Sequence, residues 1–171
     1  MDTFTAIETR RSIRKFKEDP IPQELLEKIL RAATLAPSGK NKQPWHFYVV
    51  QKSKRDEMIA VMQTGLDQIK AMGGNIGSAK FTQHVMSQAP VTIFVFNPTG
   101  QHPTHKRNTL EAFGDIVDIQ SVGAAIQNML LAAQASGLGS LWICDVFFAY
   151  DALTKWLGAE GEMIAAVSLG Y

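Results

Sequence analysis

The segment that most constrains the fold is residues 118–136, DIQSVGAAIQNMLLAAQAS. Its apolar residues recur at three- and four-residue steps, the spacing of one helix face. Small residues such as Gly123, Ala124 and Ala125 fill much of the remaining surface, so other backbones can approach closely. Gly137 and Gly139 follow, and glycine is favoured just past a helix C-terminus. The pattern predicts a central helix that packs on more than one side, and its polar members argue against a membrane span.

The rest of the chain alternates helical and strand-like patterns. Helices are predicted over residues 3–9, 23–35, 149–157 and a segment that Ser53 caps and that runs to about Lys70. Strands are predicted over residues 45–51, 89–97, 140–144 and 163–171, the second of them apolar throughout and therefore buried on both faces. Residues 71–78 are glycine-rich and predicted to be exposed and mobile. This order indicates an α+β fold in which helices pack around a central sheet.

Charge and cysteine content exclude several classes of protein. Lys and Arg number 17 against 16 Asp and Glu, so net charge favours neither nucleic acid nor a membrane surface. The single cysteine, Cys144, excludes an intrachain disulfide and a multi-cysteine metal site. The N-terminus is polar where a signal peptide would be basic and then apolar. We therefore expect a single domain, residues 1–171, of a soluble cytoplasmic protein.

A basic run near the N-terminus is the first of three candidate binding segments. It comprises Arg10, Arg11, Ser12 and Arg14. Arginine pairs bidentately with phosphate oxygens, and a serine hydroxyl adds a hydrogen bond. Taken alone, such a run is more often a solvated charged turn.

Two further segments carry polar and apolar groups of a different kind. The loop PSGKNKQP contains Pro37, Ser38, Gly39 and Asn41, and by itself it reads as a helix-to-strand connection. The run after Gly139-Ser140 offers side chains that suit the surface of a flat ring, although by itself it reads as core. Its members are Leu141, Trp142, Ile143 and Cys144.

Together, RRSxRxF, PSxxNxQPWHF and a QNMLLAA helix that ends in GLGS strongly resemble the FMN-dependent nitroreductase family. The resemblance covers nearly the whole chain, with the three motifs in the family's order. It implies a central mixed, mainly antiparallel sheet flanked by helices, and a homodimer whose long central helix forms much of the interface. Two FMN sites would lie at that interface.

The resemblance also implies a role for each segment. Arg10, Arg11, Ser12 and Arg14 would hold the flavin phosphate and ribityl chain. Pro37, Ser38, Gly39 and Asn41 would come from the partner subunit and lie by the ring and ribityl chain. Leu141, Trp142, Ile143 and Cys144 would back the isoalloxazine, with a backbone N–H at or beside Cys144 near flavin N5.

The implied activity is NAD(P)H-dependent reduction of a nitroaromatic, a quinone or another flat acceptor by hydride transfer through flavin N5, with no catalytic side chain and no metal. A flavin-binding carrier, sensor or partner-dependent subunit is the alternative from another class. A branch that dehalogenates or cleaves its own flavin is a second enzymatic alternative, which nothing in the sequence selects. Neither the physiological acceptor nor a preference for NADH or NADPH follows from the sequence.

Six residues receive secondary interpretations. Family members usually continue past LGY with a basic tail, so Lys106 and Arg107 are candidates for its phosphate-binding role, the other possibility being weaker binding. His84 is a candidate hydrogen-bond donor to flavin N1 and O2, or an ordinary surface histidine. The pair His102 and His105 is interpreted as part of a loop. Cys144 lacks an evident base partner and is interpreted as a packing residue.

Overall fold

The structure, a computed structural model, describes residues 1–171 with the side chain of Lys52 excepted. Its helices are α1 (Thr3–Thr9), α2 (Gln23–Thr34), α3 (Lys52–Ala71), α4 (Ala79–Gln88), α5 (Thr109–Ala135) and α6 (Tyr150–Leu157). Its strands are β1 (His46–Gln51), β2 (Val91–Asn97), β3 (Gly139–Ile143) and β4 (Glu162–Gly170). Short 3-10 turns span Gly39–Asn41 and Asp145–Ala149.

The four strands form one sheet in the order β1-β2-β4-β3. Each neighbouring pair is antiparallel. A parallel bridge joins Ser12 to Ser140 at the outer edge of β3. The predicted α+β fold with a mixed, mainly antiparallel sheet is confirmed.

Strand β2 shows why helices cover both faces of the sheet. All seven of its residues are buried, as the unbroken apolar run predicts. Ile93 and Val95 pack in a core cluster with α2 and α5, whereas Phe94 and Phe96 pack in a second cluster with α3, α4 and α6. Because successive side chains of a strand point to opposite faces, one strand serves both cores.

Helix α5 begins nine residues earlier than the predicted position, Asp118, since its first residue is Thr109. The Asn108 side chain accepts hydrogen bonds from the backbone N–H groups of Leu110 and Glu111, while Glu111 bonds back to Asn108 N–H. This capping box stabilises the start of the helix. An 18-residue window of α5 has a mean hydropathy of 1.3, enough for a membrane span by length and composition alone; residues such as Val122, Ile126 and Met129 are buried against the sheet instead.

Two local predictions need correction. Ser53 does not cap α3, because the helix already starts at Lys52 and the capping position is Gln51. The predicted order of elements leaves out α4, the helix that carries His84 before β2, so the observed order has one helix more. Within residues 71–78, all are exposed except Ile76, whose side chain reaches the core shared by α3 and α4.

Candidate functional site

The basic run that follows α1 lies along the edge of β3. The backbone N–H of Ile13 donates to the carbonyl oxygen of Ser140 at 2.9 Å. A Cβ at Gly139 would lie 2.9 Å from the Ile13 side chain, so glycine permits this close approach. The structure therefore brings the first and third sequence motifs together.

In this run, the guanidinium groups of Arg11 and Arg14 contact backbone carbonyl oxygens rather than acidic side chains of the described chain. Arg11 donates to the backbone carbonyl oxygens of Glu8 and Arg10, and Arg14 donates to that of Ser12. Arg11 and Arg14 are exposed, and Arg10 is half-buried. Within the part of the chain that the structure describes, none of the three forms an ion pair with a carboxylate. Their positive charge is available to an anionic ligand.

Strand β3 turns alternate side chains toward the core and toward solvent. Leu141 and Ile143 are buried in the cluster with α3, α4 and α6. Trp142 and Cys144 are exposed and line two adjoining cavities. Successive side chains of a strand point to opposite faces, which explains why buried and exposed side chains alternate here.

The smaller cavity, about 200 Å³, joins the basic run to the end of β3. Its lining residues are Arg14, Ser78, Phe81, Thr82, Leu141, Trp142, Ile143, Cys144 and Asp145. Asp145 accepts hydrogen bonds from the hydroxyls of Ser78, at 2.8 Å, and Thr82, at 2.5 Å. These bonds tie α4 to the turn after β3 and so help to shape this cavity.

The larger cavity, about 760 Å³, lies between α5, the start of β4 and the start of α6. Most of its wall is apolar. The apolar part is formed by Pro103, Ile119, Gly123, Trp142, Phe147, Met163 and Ile164, beside Cys144. The other lining residues, His102, Tyr150, Asp151 and Glu162, are polar and define what we call the polar corner. A largely apolar cavity with a few polar groups is the usual form of a small-molecule site.

Hydrogen bonds order the polar corner. His102 Nε2 lies 3.1 Å from Asp151 Oδ1, and His102 Nδ1 lies 2.7 Å from the Thr104 hydroxyl. The imidazole meets the Tyr150 ring edge-on, with 4.9 Å between centroids and 88° between planes. The Tyr150 hydroxyl accepts the backbone N–H of Met163 at 3.0 Å.

Glu162 is the buried acid of the polar corner. Its Oε1 lies 3.7 Å from the Arg107 guanidinium, while Oε2 has no hydrogen-bond partner among the described residues. Burial raises the pKa of Glu162, and the positive charge of Arg107 opposes that shift only in part. The corner therefore contains a carboxyl group that is easier to protonate than a surface glutamate.

The thiol of Cys144 is unsuited to act as a nucleophile at neutral pH. Although the residue is exposed, partial desolvation at the cavity wall raises the pKa of its thiol above the ordinary value of 9.0, and the neighbouring Asp145 carboxylate raises it further. Because the thiolate is the reactive form, a raised pKa keeps the group unreactive.

The loop that holds Pro37, Ser38, Gly39 and Asn41 lies elsewhere, on the middle of α5. Gly39 N–H donates to the Ser121 hydroxyl at 3.2 Å, and Lys42 pairs with the buried carboxylate of Asp118 at 3.3 Å. No residue of positions 37–41 lines either cavity within the described chain. One chain thus brings two of the three motifs together and holds the third on α5.

The secondary candidates have different surroundings. His84 is exposed on α4, contacts Gln88 and lines neither cavity. The Arg107 side chain contacts Asp115 and Glu162 and donates to several backbone carbonyl oxygens of residues 101–105, so its guanidinium already has partners. Lys106 as a phosphate ligand stays a prediction.

The polar corner is not predicted from the sequence. Tyr150, Asp151 and Glu162 belong to none of the three motifs, and His102 fits the pattern of a loop residue. Their positions fall in three separate segments with no shared motif. Only packing of α6 against the start of β4 brings them together.

A model of the nitroreductase family matches residues 7–171 of this chain. The chain belongs to the nitroreductase family. A relative from Archaeoglobus fulgidus, provisionally named an NADH dehydrogenase/NAD(P)H nitroreductase, is 33% identical over 170 residues, which cover 96% of this chain and 82% of the relative. A Methanothermobacter thermautotrophicus protein of the same provisional name is 34% identical over 142 residues, 83% of this chain but only 60% of that protein.

Among solved structures, this family member is similar to a provisionally named nitroreductase from Desulfovibrio desulfuricans in complex with FMN. The TM-score is 0.74 at 28% identity, and the match covers 99% of this chain and 86% of the other. The long helix α5 and the helix-flanked antiparallel sheet agree with that fold.

Proposed function

We propose that this family member is an FMN-dependent oxidoreductase that takes a hydride from NAD(P)H and reduces a nitroaromatic, a quinone or a related flat acceptor. When bound, FMN supplies the redox chemistry, and the protein binds and orients the reactants. No side chain is required as acid or base, because solvent can provide the protons.

The observation that carries this proposal is that Arg14, whose guanidinium has no acidic partner among the described residues, lines a small cavity that adjoins the large apolar one, with Trp142 and Cys144 lining both. A flavin mononucleotide has a phosphate at one end and a flat aromatic ring at the other. The free guanidinium groups of Arg11 and Arg14 suit the phosphate. The exposed Trp142 and Cys144, at the junction of both cavities, suit the ring. The residues present fit FMN.

We further propose a homodimer in which positions 37–41 of one chain complete the flavin site of the other. Two features support it: that loop lines neither cavity of its own chain, and the first half of α5 exposes a row of apolar side chains. These side chains are Leu110, Phe113, Ile116, Val117 and Ile119. Exposed apolar patches of this kind are typical of protein–protein interfaces.

The decisive experiment is a visible absorption spectrum of the purified protein, followed by anaerobic addition of NADH and, separately, NADPH. We expect the spectrum to show flavin bands and at least one of the two nucleotides to bleach them. A quinone should then reoxidise the flavin with saturation kinetics. Flavin bands that neither nucleotide bleaches would support a carrier or sensor instead. A colourless protein that does not take up added FMN would overturn the proposal.

A further inference from the structure

We propose that the Tyr150 hydroxyl donates the hydrogen bond that orients the acceptor in the larger cavity, by binding a carbonyl oxygen of a quinone or an oxygen of a nitro group. This inference rests on the proposed function and adds to it a specificity-determining residue and a chemical requirement for the acceptor.

The Tyr150 hydroxyl has a proton that is free to donate a hydrogen bond to a ligand. Its oxygen accepts the Met163 backbone N–H at 3.0 Å, and no acceptor for its own proton lies within hydrogen-bonding distance among the described residues. Burial raises the pKa of Tyr150, so the phenol keeps this proton at neutral pH. A phenol that lines a cavity with an unused proton is suited to bind an oxygen of a ligand.

The ring of Tyr150 is fixed on two sides. Met163 N–H binds its oxygen, and the imidazole of His102 lies edge-on against the ring at 4.9 Å. His102 is held in turn by Thr104 and Asp151. A donor whose position is fixed before the ligand arrives loses little freedom on binding, which favours affinity and selectivity.

The composition of the cavity matches an aromatic ligand with an oxygen substituent. Trp142 and Cys144, proposed to face the flavin, line the same cavity as Tyr150. Ile119, Phe147 and Ile164 provide apolar contacts for a ring. A second group, Oε2 of the nine-tenths buried Glu162, lies in the same corner and has no hydrogen-bond partner among the described residues. A single hydrogen-bond donor at a fixed position in an apolar cavity favours ligands that carry a hydrogen-bond acceptor at the matching position.

The reaction balances without any further reactant: quinone, NAD(P)H and one solvent proton give hydroquinone and NAD(P)⁺. The hydride brings two electrons and the first hydrogen, and a proton from solvent supplies the second hydrogen. Negative charge builds up on the acceptor's oxygen during the transfer, so a hydrogen bond from Tyr150 strengthens as the reaction proceeds. An outer-sphere oxidant such as ferricyanide takes single electrons and needs no such bond.

The test compares Tyr150→Phe with Tyr48→Phe. The matched control removes the same hydroxyl from strand β1, where the ring packs on His46 and Phe96 and lines neither cavity. The first readout is the Kd of 1,4-naphthoquinone for the oxidised, FMN-loaded protein without nicotinamide, so that nothing is reduced. The second is the ratio of kcat/KM for naphthoquinone to kcat/KM for ferricyanide. That ratio does not depend on the fraction of variant that is folded.

For Tyr150→Phe we expect the Kd to rise about fivefold, as for loss of one hydrogen bond to a neutral carbonyl oxygen. The ratio should fall by about tenfold or more, because the oxygen becomes negatively charged during the transfer. Tyr48→Phe should change neither. If both variants match the wild type while NAD(P)H still bleaches the flavin, the role of Tyr150 is wrong and the proposed function stands. If NAD(P)H does not reduce the wild-type protein, the proposed function is wrong, and the role of Tyr150 that rests on it is wrong as well. Equal losses with both oxidants, with unchanged naphthoquinone Kd, would also overturn the role of Tyr150.

Discussion

Ile13 donates its backbone N–H to the carbonyl oxygen of Ser140 at 2.9 Å, and this bond joins the basic run to the strand that lines both cavities. The side chain of Ile13 fills the space beside Gly139 that a Cβ would need. The relative position of the cationic residues and of Trp142 therefore depends on a contact that only glycine at position 139 permits without a shift.

Gly139→Ala should separate the basic run from β3. Its Cβ would lie 2.9 Å from two side-chain carbons of Ile13, so the Ile13 side chain or the backbone that carries it has to shift. We expect the free energy of unfolding to fall by about 1–3 kcal/mol and FMN affinity to fall with it. Urea unfolding and FMN fluorescence titration measure the two effects.

The control is Gly114→Ala, in α5, where nothing lies within 4 Å of the new Cβ. It should be neutral, or stabilising by up to about 1 kcal/mol, because alanine favours helix. Equal stability of the two variants would contradict the role assigned to the contact between Ile13 and Gly139.

A mixed-subunit experiment tests whether two chains share each flavin site. Arg14→Ala removes a proposed phosphate ligand, and Asn41→Gly removes an amide while keeping the left-handed φ of 54°. Each variant alone should lose most FMN binding. Refolded together in equal amounts, half of the dimers are mixed, and each mixed dimer has one site free of both substitutions. We expect about a quarter of wild-type turnover. Activity no higher than the mean of the two variants would indicate a site built within one chain.

The pKa of Glu162, raised by burial, predicts how stability depends on pH. Between the ordinary value of 4.5 and the raised value, the folded chain binds more protons at this group than the unfolded chain does. The free energy of unfolding should therefore fall as pH rises through that window, because the buried carboxyl has to ionise. In urea unfolding from about pH 4 to 7, the Glu162→Gln variant should not show this fall in the free energy of unfolding. Glu160→Gln, at an exposed position two residues away, should retain it; identical pH profiles for the two variants would refute the assignment.

Cys144→Ala should keep about half or more of the wild-type turnover, because the thiol packs at the cavity wall and its raised pKa keeps it protonated. For the same reason, iodoacetamide should alkylate the wild-type protein slowly at neutral pH and faster only above the ordinary thiol pKa of 9.0. A loss of turnover greater than about tenfold in the alanine variant would show that the thiol takes part in the chemistry.

Local patterns were sufficient for most elements of this fold. The apolar run of β2 predicts burial on both faces, and Gly137, with φ of 78°, ends the helical segment as expected. The early start of α5 was missed because Leu110 and Phe113 are exposed and do not continue the buried face. The spacing of Asn108 and Glu111, a capping box, was the signal that would have located it.

The sequence by itself determined most of the elements and the family, and it predicted the residues of three candidate binding segments, because each of these depends on neighbours close along the chain. Spacing along a helix or strand sets which side chains share a face. Motif residues such as Arg14 and Trp142 could thus be named before their positions in space were known.

Only the tertiary structure decided which segments meet. The antiparallel pairing of β3 with β4 sets Ile143 opposite Ala166, so the end of β3 lies near the start of β4. Packing of α6 there brings Tyr150 to Met163 and His102 to Asp151. These contacts join residues far apart in sequence, and their formation depends on the burial of both faces of the sheet rather than on any local pattern.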